Sequence, residues 1–285
     1  MKRLIPVLLV LLLTGCGVRL DVPDPTVEEP SAAEIVRQRE ALRAEVLSRI
    51  EFVEAGTLAA NARVQLDALG GVWEAWPDGD GPDDAPERES ADITAPQSTD
   101  EAASLLAHTT PDLVTAAVDA HDSAVASLYA SIAVARTADE TRLRVNGGEM
   151  PRPEWPETVI TSSPELIREL DAAAYRLDIL AAQDSANGRE SSARADASLL
   201  RSWADASAHA ISVVGSEDDP REPVYDAAGI DLGTLYGALT ETMVAASATN
   251  SDRAAIIGAA EAAAIATVIN GGEVAALPGV SLLEE

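Results

Sequence analysis

Apolar residues recur every three or four positions through most of the chain after residue 30, which is the spacing of one face of an α-helix. Ser31 and Glu34 form a capping box that opens the first such stretch. Its predicted buried stripe consists of Ile35, Leu42, Val46, Ile50 and Val53. The two-residue alternation of a half-buried strand is missing throughout. The pattern therefore predicts an all-α helical bundle.

A second helical region is predicted to begin at Ser98, which forms another capping box with Glu101. The first helix there is expected to end before Pro111, because Thr110 followed by proline is typical of a new helix N-terminus. From that point apolar residues alternate by four and three, as in a bundle seam. His121 falls in the seam, so we expect it to be a hydrogen-bonded core histidine in a helix interface rather than a ligand.

The second half of the chain predicts four more helices between residues 163 and 280, with a crossover from Pro220 to Gly229 in the middle. A proline-rich crossover, Pro151 to Pro156, separates them from the N-terminal helical region predicted over residues 31–148. Short connections favour antiparallel neighbours within each pair.

Residues 1–15 are predicted to be a lipoprotein signal peptide. Lys2 and Arg3 precede the apolar run Leu4 to Leu13, which is too short to cross a bilayer as a helix. The run leads into Leu13-Thr14-Gly15-Cys16, which resembles a bacterial lipobox. Two acyl chains on Cys16 would fix the mature protein to the membrane on the extracytoplasmic face. The alternative is an ordinary secretion signal that contains a cysteine.

Two segments have a composition that cannot bury enough surface to fold. Residues 16–30 combine three prolines with four acids and are predicted to be a disordered tether. Residues 77–97 are predicted to be an acidic loop. The loop begins with Asp78-Gly79-Asp80-Gly81, as some calcium loops do, but Pro82 takes a ligand position and Asp83 replaces the glycine of the turn. We therefore expect a solvated linker there.

The charge balance restricts the partners. Cleavage before Cys16 removes two of the 20 basic residues and none of the 48 acidic ones, which leaves a net charge of −30. Such a surface repels nucleic acid and anionic lipid headgroups and tolerates cations or a basic protein surface. Cys16 is also the only cysteine, so once it is lipidated no thiol remains for catalysis or metal binding.

Several stretches carry a resemblance to a known group of proteins. They are Cys16-Gly17-Val18-Arg19-Leu20-Asp21, the helix end from Arg63 to Gly71, and the last four helices closing at Leu277-Pro278-Gly279. In these stretches, and more loosely over about 163–280, the chain is similar to lipoproteins of high-GC Gram-positive bacteria that carry a ferritin-like domain of unknown function. The resemblance implies a ferritin-like four-helix bundle with a crossover in the middle.

The metal ligands of a di-iron bundle are incomplete in this sequence. Such a site takes Glu-x-x-His from two of its helices, whereas His108, His121 and His209 follow Leu105, Val118 and Ala206 by three residues. Iron oxidation and iron storage are therefore not expected.

Weaker metal candidates remain in the last helices. Glu241 and Glu261 are each isolated in an apolar helix, and Asp205 and His209 lie four residues apart on one helical face. The alternative is that all four side chains lie on solvated faces.

These observations together predict a lipid-anchored, cell-surface helical-bundle protein that is not an enzyme and has a binding or structural role. Its expected partners are the membrane, through lipidated Cys16, and a protein at the cell surface, with no cofactor and no nucleic acid. The alternative function is that of a degenerate ferritin-like metal-binding protein. A solute-binding lipoprotein is a third interpretation, but it needs α/β lobes that the pattern does not predict.

Overall fold

The structure is a computed structural model that describes residues 30–74, 89–187 and 193–280. Within these ranges the chain forms eight α-helices packed against one another and no strand, which confirms the predicted all-α bundle. The helices are α1 Ala32–Ser48, α2 Gly56–Ala68, α3 Thr99–Asp119, α4 Ser123–Asn146, α5 Pro164–Ala186, α6 Ala193–Ala210, α7 Leu232–Ser247 and α8 Arg253–Ile269. A 3-10 turn, Val53–Ala55, leads into α2.

Some predictions concern residues outside these ranges. The signal peptide, the lipobox with Cys16 and the tether up to residue 29 are among them, as are residues 77–88 of the acidic loop. The rest of that loop, residues 89–97, is described and contains no helix.

Helix α4 is the centre of the bundle. It forms a hairpin with α3 and also packs against α2, α7 and α8. Two further helix pairs, α5 with α6 and α7 with α8, pack closely, and α5 contacts α7. The larger hydrophobic cluster accordingly runs from Ala41 in α1 to Leu277 after α8 and includes side chains from both predicted halves. A smaller cluster joins the end of α1 to the start of α3 and the end of α4.

Small residues bring the helices close together. Most of the fully buried side chains of α8 are alanines, and α4 contributes Ala126, Ala130 and Ala133 to the same interior. At the start of α7, a Cβ added to Gly233 would lie 2.6 Å from the backbone nitrogen of Gly272. The helix backbones are therefore in direct contact where other bundles have bulky core side chains between them. This contact stabilises the bundle, because dispersion attraction depends on close packing of atoms.

The boundary between α3 and α4 differs from the sequence prediction. Helix α3 continues through Pro111 to Asp119, and the break falls at residues 120–122 instead. Ala120 leaves the helix with extended backbone angles, and the Asp122 side chain accepts the N–H groups of the first turn of α4. His121 lies exposed in this break. The predicted burial of His121 in a helix interface is therefore wrong. His121 lies between the end of α3 and Asp122, which caps α4, so it belongs to neither helix.

The apolar stripe predicted for α1 is confirmed only in part. Leu42 and Ile50 are buried, whereas Ile35 is 55% exposed and Val53, beyond the helix, is 90% exposed. The buried residues of α1 also include polar ones; they are Gln38, Glu40, Ala41, Leu42, Arg43, Ala44, Leu47 and Ser48. Glu40 and Arg43 can be buried because each has an ionic partner.

One arginine closes two helix C-termini at once. Arg253, the first residue of α8, donates from Nη1 to the carbonyl oxygens of Ala117, Val118 and Ala120, at 2.7, 3.1 and 2.9 Å. Its Nε and Nη2 donate to the carbonyl oxygens at the end of α7. Helix C-termini expose carbonyls without intrahelical partners, so Arg253 joins the ends of α3 and α7 to the start of α8.

Candidate functional site

The four metal candidates predicted from the sequence do not share one environment. Glu241 is exposed on α7, and Asp205 and His209 are exposed on α6. The Asp205 carboxylate accepts a hydrogen bond from Arg221. Glu261 alone is largely buried, on α8. In the described ranges, no three His, Cys, Asp or Glu side chains are grouped so that they could hold a metal ion.

Glu261 points at the central helix. Its Oε1 accepts a hydrogen bond of 2.9 Å from the Thr137 hydroxyl on α4. Burial raises the pKa of Glu261, the Thr137 hydrogen bond opposes that rise, and the nearby Glu140 charge adds to it. The carboxyl group is therefore a desolvated acid with a protein partner on α4.

The most unusual group of side chains is a buried ionic cluster that the sequence analysis did not identify. Its centre is Glu40 of α1, which is fully buried together with Arg136 of α4. Glu40 accepts from Arg43 Nη1 and Arg136 Nη1, each at 2.9 Å, and from Arg39 Nε at 3.2 Å. One carboxylate therefore accepts hydrogen bonds from three guanidinium groups and joins α1 to α4.

Arg43 extends the cluster to two more segments. Its Nε and Nη2 donate to both carboxylate oxygens of Asp92, at 2.9 and 2.5 Å, and its Nη1 donates to Asp112 of α3 at 2.8 Å. Burial lowers the pKa of Arg43, but the Asp92 hydrogen bonds and the Glu40 charge outweigh it and raise the pKa above the usual value. The described end of the acidic loop is thus held against α1 and α3.

Asp139 is a second buried carboxylate, one turn after Arg136. The side-chain amide of Asn61 on α2 lies 3.0 Å from both of its oxygens, and Arg142 Nη1 donates at 2.5 Å. Burial raises the pKa of Asp139, although the amide and Arg142 act in the opposite direction. Asn61 and Asp139 join α2 to the central helix.

Arg136 is the least compensated member of the cluster. Its Nη1 is paired with Glu40, but within the described part of the chain its Nε and Nη2 have no hydrogen-bond partner. Burial lowers the pKa of Arg136, and the Glu40 carboxylate opposes that change. The sequence did contain a signal, because Arg136 follows Ile132 by four residues and so continues the apolar seam.

Every strong base in the described ranges is an arginine, since the only lysine of the chain is Lys2. A guanidinium presents several donors in one plane and can bridge two carboxylates, as Arg43 does with Asp92 and Asp112. The ionic cluster contains no nucleophile, and its buried carboxylates are bound to protein donors. The ionic cluster therefore joins α1, α2, α3 and α4 through salt bridges and hydrogen bonds.

An aromatic cluster occupies the interior on the other side of the bundle. The Trp155 ring lies 6.0 Å from that of Trp203 and 6.1 Å from that of Tyr236, measured between centroids. The Tyr236 hydroxyl donates to Asp196 at 2.6 Å. Burial raises the pKa of both Tyr236 and Asp196. Trp155 comes from the proline-rich crossover, so the cluster fixes that segment to α6 and α7.

A shallow groove of about 350 Å³ lies between α5, the start of α7 and the loop before it. Its polar groups already have partners, because Arg176 Nε donates to the Asp226 carbonyl and the Asp231 side chain caps α7. The groove therefore offers no group of convergent free donors or acceptors of the kind that defines a ligand site.

In the parts of the chain that the structure covers, no helix combines the length and the apolar character that crossing a bilayer requires. Comparison of the chain with family models, with curated proteins and with solved structures gives no match.

Proposed function

We propose that this chain is a lipid-anchored protein of the extracytoplasmic membrane face that acts by binding or structural presence and not by catalysis. The observation that carries the proposal is Cys16, the only cysteine of the chain, placed directly after a basic start, an apolar run and two small residues. A thioether to diacylglycerol on this sulfur would supply the two acyl chains that stable anchoring requires.

The non-catalytic part of the proposal is supported by how the buried acids are used. A catalytic acid or base must reach its substrate within hydrogen-bond distance. Glu40, Asp139, Asp196 and Glu261 each accept hydrogen bonds from protein side chains instead. These contacts connect helices, which is the behaviour of structural groups.

The charge of the mature chain supports a basic partner surface. With residues 1–15 removed the net charge is −30, while arginines such as Arg43 and Arg136 are turned inward to acids. Most of the excess acidic residues have no basic residue to pair with, so the exposed surface is strongly acidic. Long-range attraction then favours a protein with a basic face and disfavours nucleic acid.

The anchor can be tested by metabolic labelling. Cells that process lipoproteins are grown with a labelled fatty acid and express either the parent chain or Cys16→Ser. We expect the parent to be labelled and to partition into detergent, and the variant to be unlabelled. Label in the variant at the level of the parent would show that Cys16 is not the acceptor.

The single lysine gives an independent test of processing. Cleavage before Cys16 removes Lys2, so the mature chain has no primary amine except its α-amino group. Intact-mass analysis after amine-directed labelling should therefore show at most one label on the protein from membranes. Two labels, on Lys2 and the α-amino group, would mean that the signal segment is retained.

Metal binding by the last helices is the second candidate function, favoured by one observation. The Glu261 carboxyl is desolvated and lies close enough to Glu140 for their charges to interact, and a cation would relieve that repulsion. Metal analysis of lipid-free protein tests this function. Stoichiometric iron, manganese or zinc that disappears in Glu261→Ala but persists in the partly exposed control Asp178→Ala would favour it over the non-catalytic binding role.

A further inference from the structure

Trp73 is an exposed indole whose backbone is fixed. It follows α2 and is 61% exposed. The Gln38 side chain of α1 accepts from the Trp73 N–H at 3.0 Å and donates to its carbonyl oxygen at 3.3 Å. Gln38 itself is buried. The backbone of Trp73 is therefore fixed in the position that exposes its indole, because the buried side-chain amide of Gln38 is hydrogen-bonded to both the N–H and the carbonyl oxygen of Trp73.

Six helix termini lie at the same end of the molecule as Trp73. Arg37 in the second turn of α1 donates to the Leu69 and Gly71 carbonyls, at 2.7 and 2.9 Å, which places the start of α1 beside the end of α2. Tyr129, near the start of α4, lies close enough to Arg37 for its pKa to respond to that charge. The hydrogen bonds of Arg253, at the start of α8, place the ends of α3 and α7 there as well. We call this the N-terminal end of the bundle.

Large apolar side chains are exposed at the N-terminal end. Ile35 lies in the first turn of α1, and Val118 and Val125 flank the break between α3 and α4. Together with Trp73 they give this end an aromatic residue and three aliphatic ones in contact with solvent. Tryptophan prefers the interface of a bilayer, where its ring enters the headgroup region and its N–H keeps a polar partner.

We propose that the N-terminal end of the bundle docks on the bilayer interface, with the Trp73 indole among zwitterionic headgroups, since the acidic surface of the chain is repelled by anionic ones. The proposal rests on the lipid anchor proposed above, and the position of the first described residue supports it. Residue 30 leads directly into α1, and the 15 residues from Cys16 to Pro30 reach at most about 50 Å when fully extended. The anchored segment therefore enters the bundle at this end, which is the end joined most directly to the lipid.

The test uses a chemical anchor, so that it does not depend on cellular lipidation. The chain from residue 16 to residue 285 is coupled through its single thiol, Cys16, to a maleimide-bearing lipid in phosphatidylcholine vesicles, with or without brominated acyl chains. Bromine quenches tryptophan emission only on close approach. Trp76, which lies outside the described residues, is replaced by Phe in every variant, which leaves Trp73, Trp155 and Trp203 as emitters.

Two variants make the measurement specific. Trp73→Phe removes the proposed contact, and Trp73→Phe with Val53→Trp moves the exposed indole to the opposite end of α1, about 25 Å away for a helix of this length. We expect brominated lipid to remove the emission that Trp73 contributes, and to leave the emission of both variants unchanged. Equal quenching at positions 73 and 53, or no quenching at either, would overturn the docking proposal while leaving the anchor to be judged by the labelling of Cys16.

Discussion

Removal of the carboxylate of Glu40 should destabilise the bundle far more than removal of its buried partner Arg136. In Glu40→Met, Arg136 loses the one hydrogen-bond partner that it has among the described residues and stays as a fully buried, unpaired cation. Breaking a buried ion pair in this way typically costs about 3–5 kcal/mol. The variant should accordingly lose that amount of unfolding free energy.

Arg136→Met leaves a different situation. Glu40 keeps its hydrogen bonds from Arg39 and Arg43. One charged hydrogen bond, about 1.5–3 kcal/mol, is lost, but two buried nitrogen atoms without partners, Nε and Nη2, are removed with it, and each such unsatisfied donor atom costs about 1–3 kcal/mol. These terms nearly cancel, so we expect Arg136→Met to lie within about 1.5 kcal/mol of the parent. The double variant should recover most of the loss caused by Glu40→Met.

Urea unfolding followed by circular dichroism at 222 nm measures these differences, on the chain from residue 16 with Cys16→Ser to prevent disulfide formation. The m-value serves to confirm that the extent of unfolding is unchanged. Asp178→Asn is the control, because it breaks an ion pair with Arg201 in which both side chains are more than a third exposed; it should cost less than about 1 kcal/mol. An Arg136→Met variant as unstable as Glu40→Met would refute the reasoning.

Three further predictions follow from single contacts. Arg253→Ala should lower the unfolding free energy by about 3 kcal/mol, since it leaves carbonyls at two helix ends without a charged donor. Thermal unfolding measures this loss. Full rescue by Arg253→Lys would contradict the reasoning, because one ammonium group cannot reach both helix ends. Gly279→Ala should cost more than Gly271→Ala: both have positive φ, but only at Gly279 would the Cβ meet backbone, 2.5 Å from the Glu241 carbonyl oxygen. Equal melting temperatures for the two variants would contradict the close contact. Glu261→Gln concerns pH. Because burial raises the folded-state pKa of Glu261, its ionised form lowers stability above that pKa, so the variant should be more stable than the parent at pH 7. The difference should vanish below about pH 4, where the unfolded-state carboxyl is also protonated, and urea titrations that give the opposite sign at pH 7 would overturn this assignment.

The sequence predicted the all-α class because helical spacing and caps are local properties. Ser31 and Ser98 both cap helices in the structure, as the capping boxes in the sequence indicated. Pro111 misled the prediction of a helix boundary. A proline lacks one N–H donor, but tertiary packing keeps α3 continuous on both sides of it.

The facing of helices was harder to predict than their positions. Alanine is small enough to be buried on any side of a helix, so the apolar stripe of α1 defined the side that faces the core only in part: Leu42 is buried and Ile35 is exposed. Ile35 followed the expected period and is exposed, whereas Glu40 is buried because Arg136, almost a hundred residues later, neutralises it. Local periodicity places Arg136 on the apolar seam but does not identify its distant partner, which is why the ionic cluster could not be predicted.

The use of arginine for every internal cation has a consequence in alkaline solution. A lysine cross-link would discharge near pH 10.4, whereas a guanidinium keeps its proton beyond pH 12. The cross-link of Arg43, whose carboxylate partners raise its pKa above the usual value, should therefore remain intact through the alkaline range in which a lysine at the same position would lose its charge.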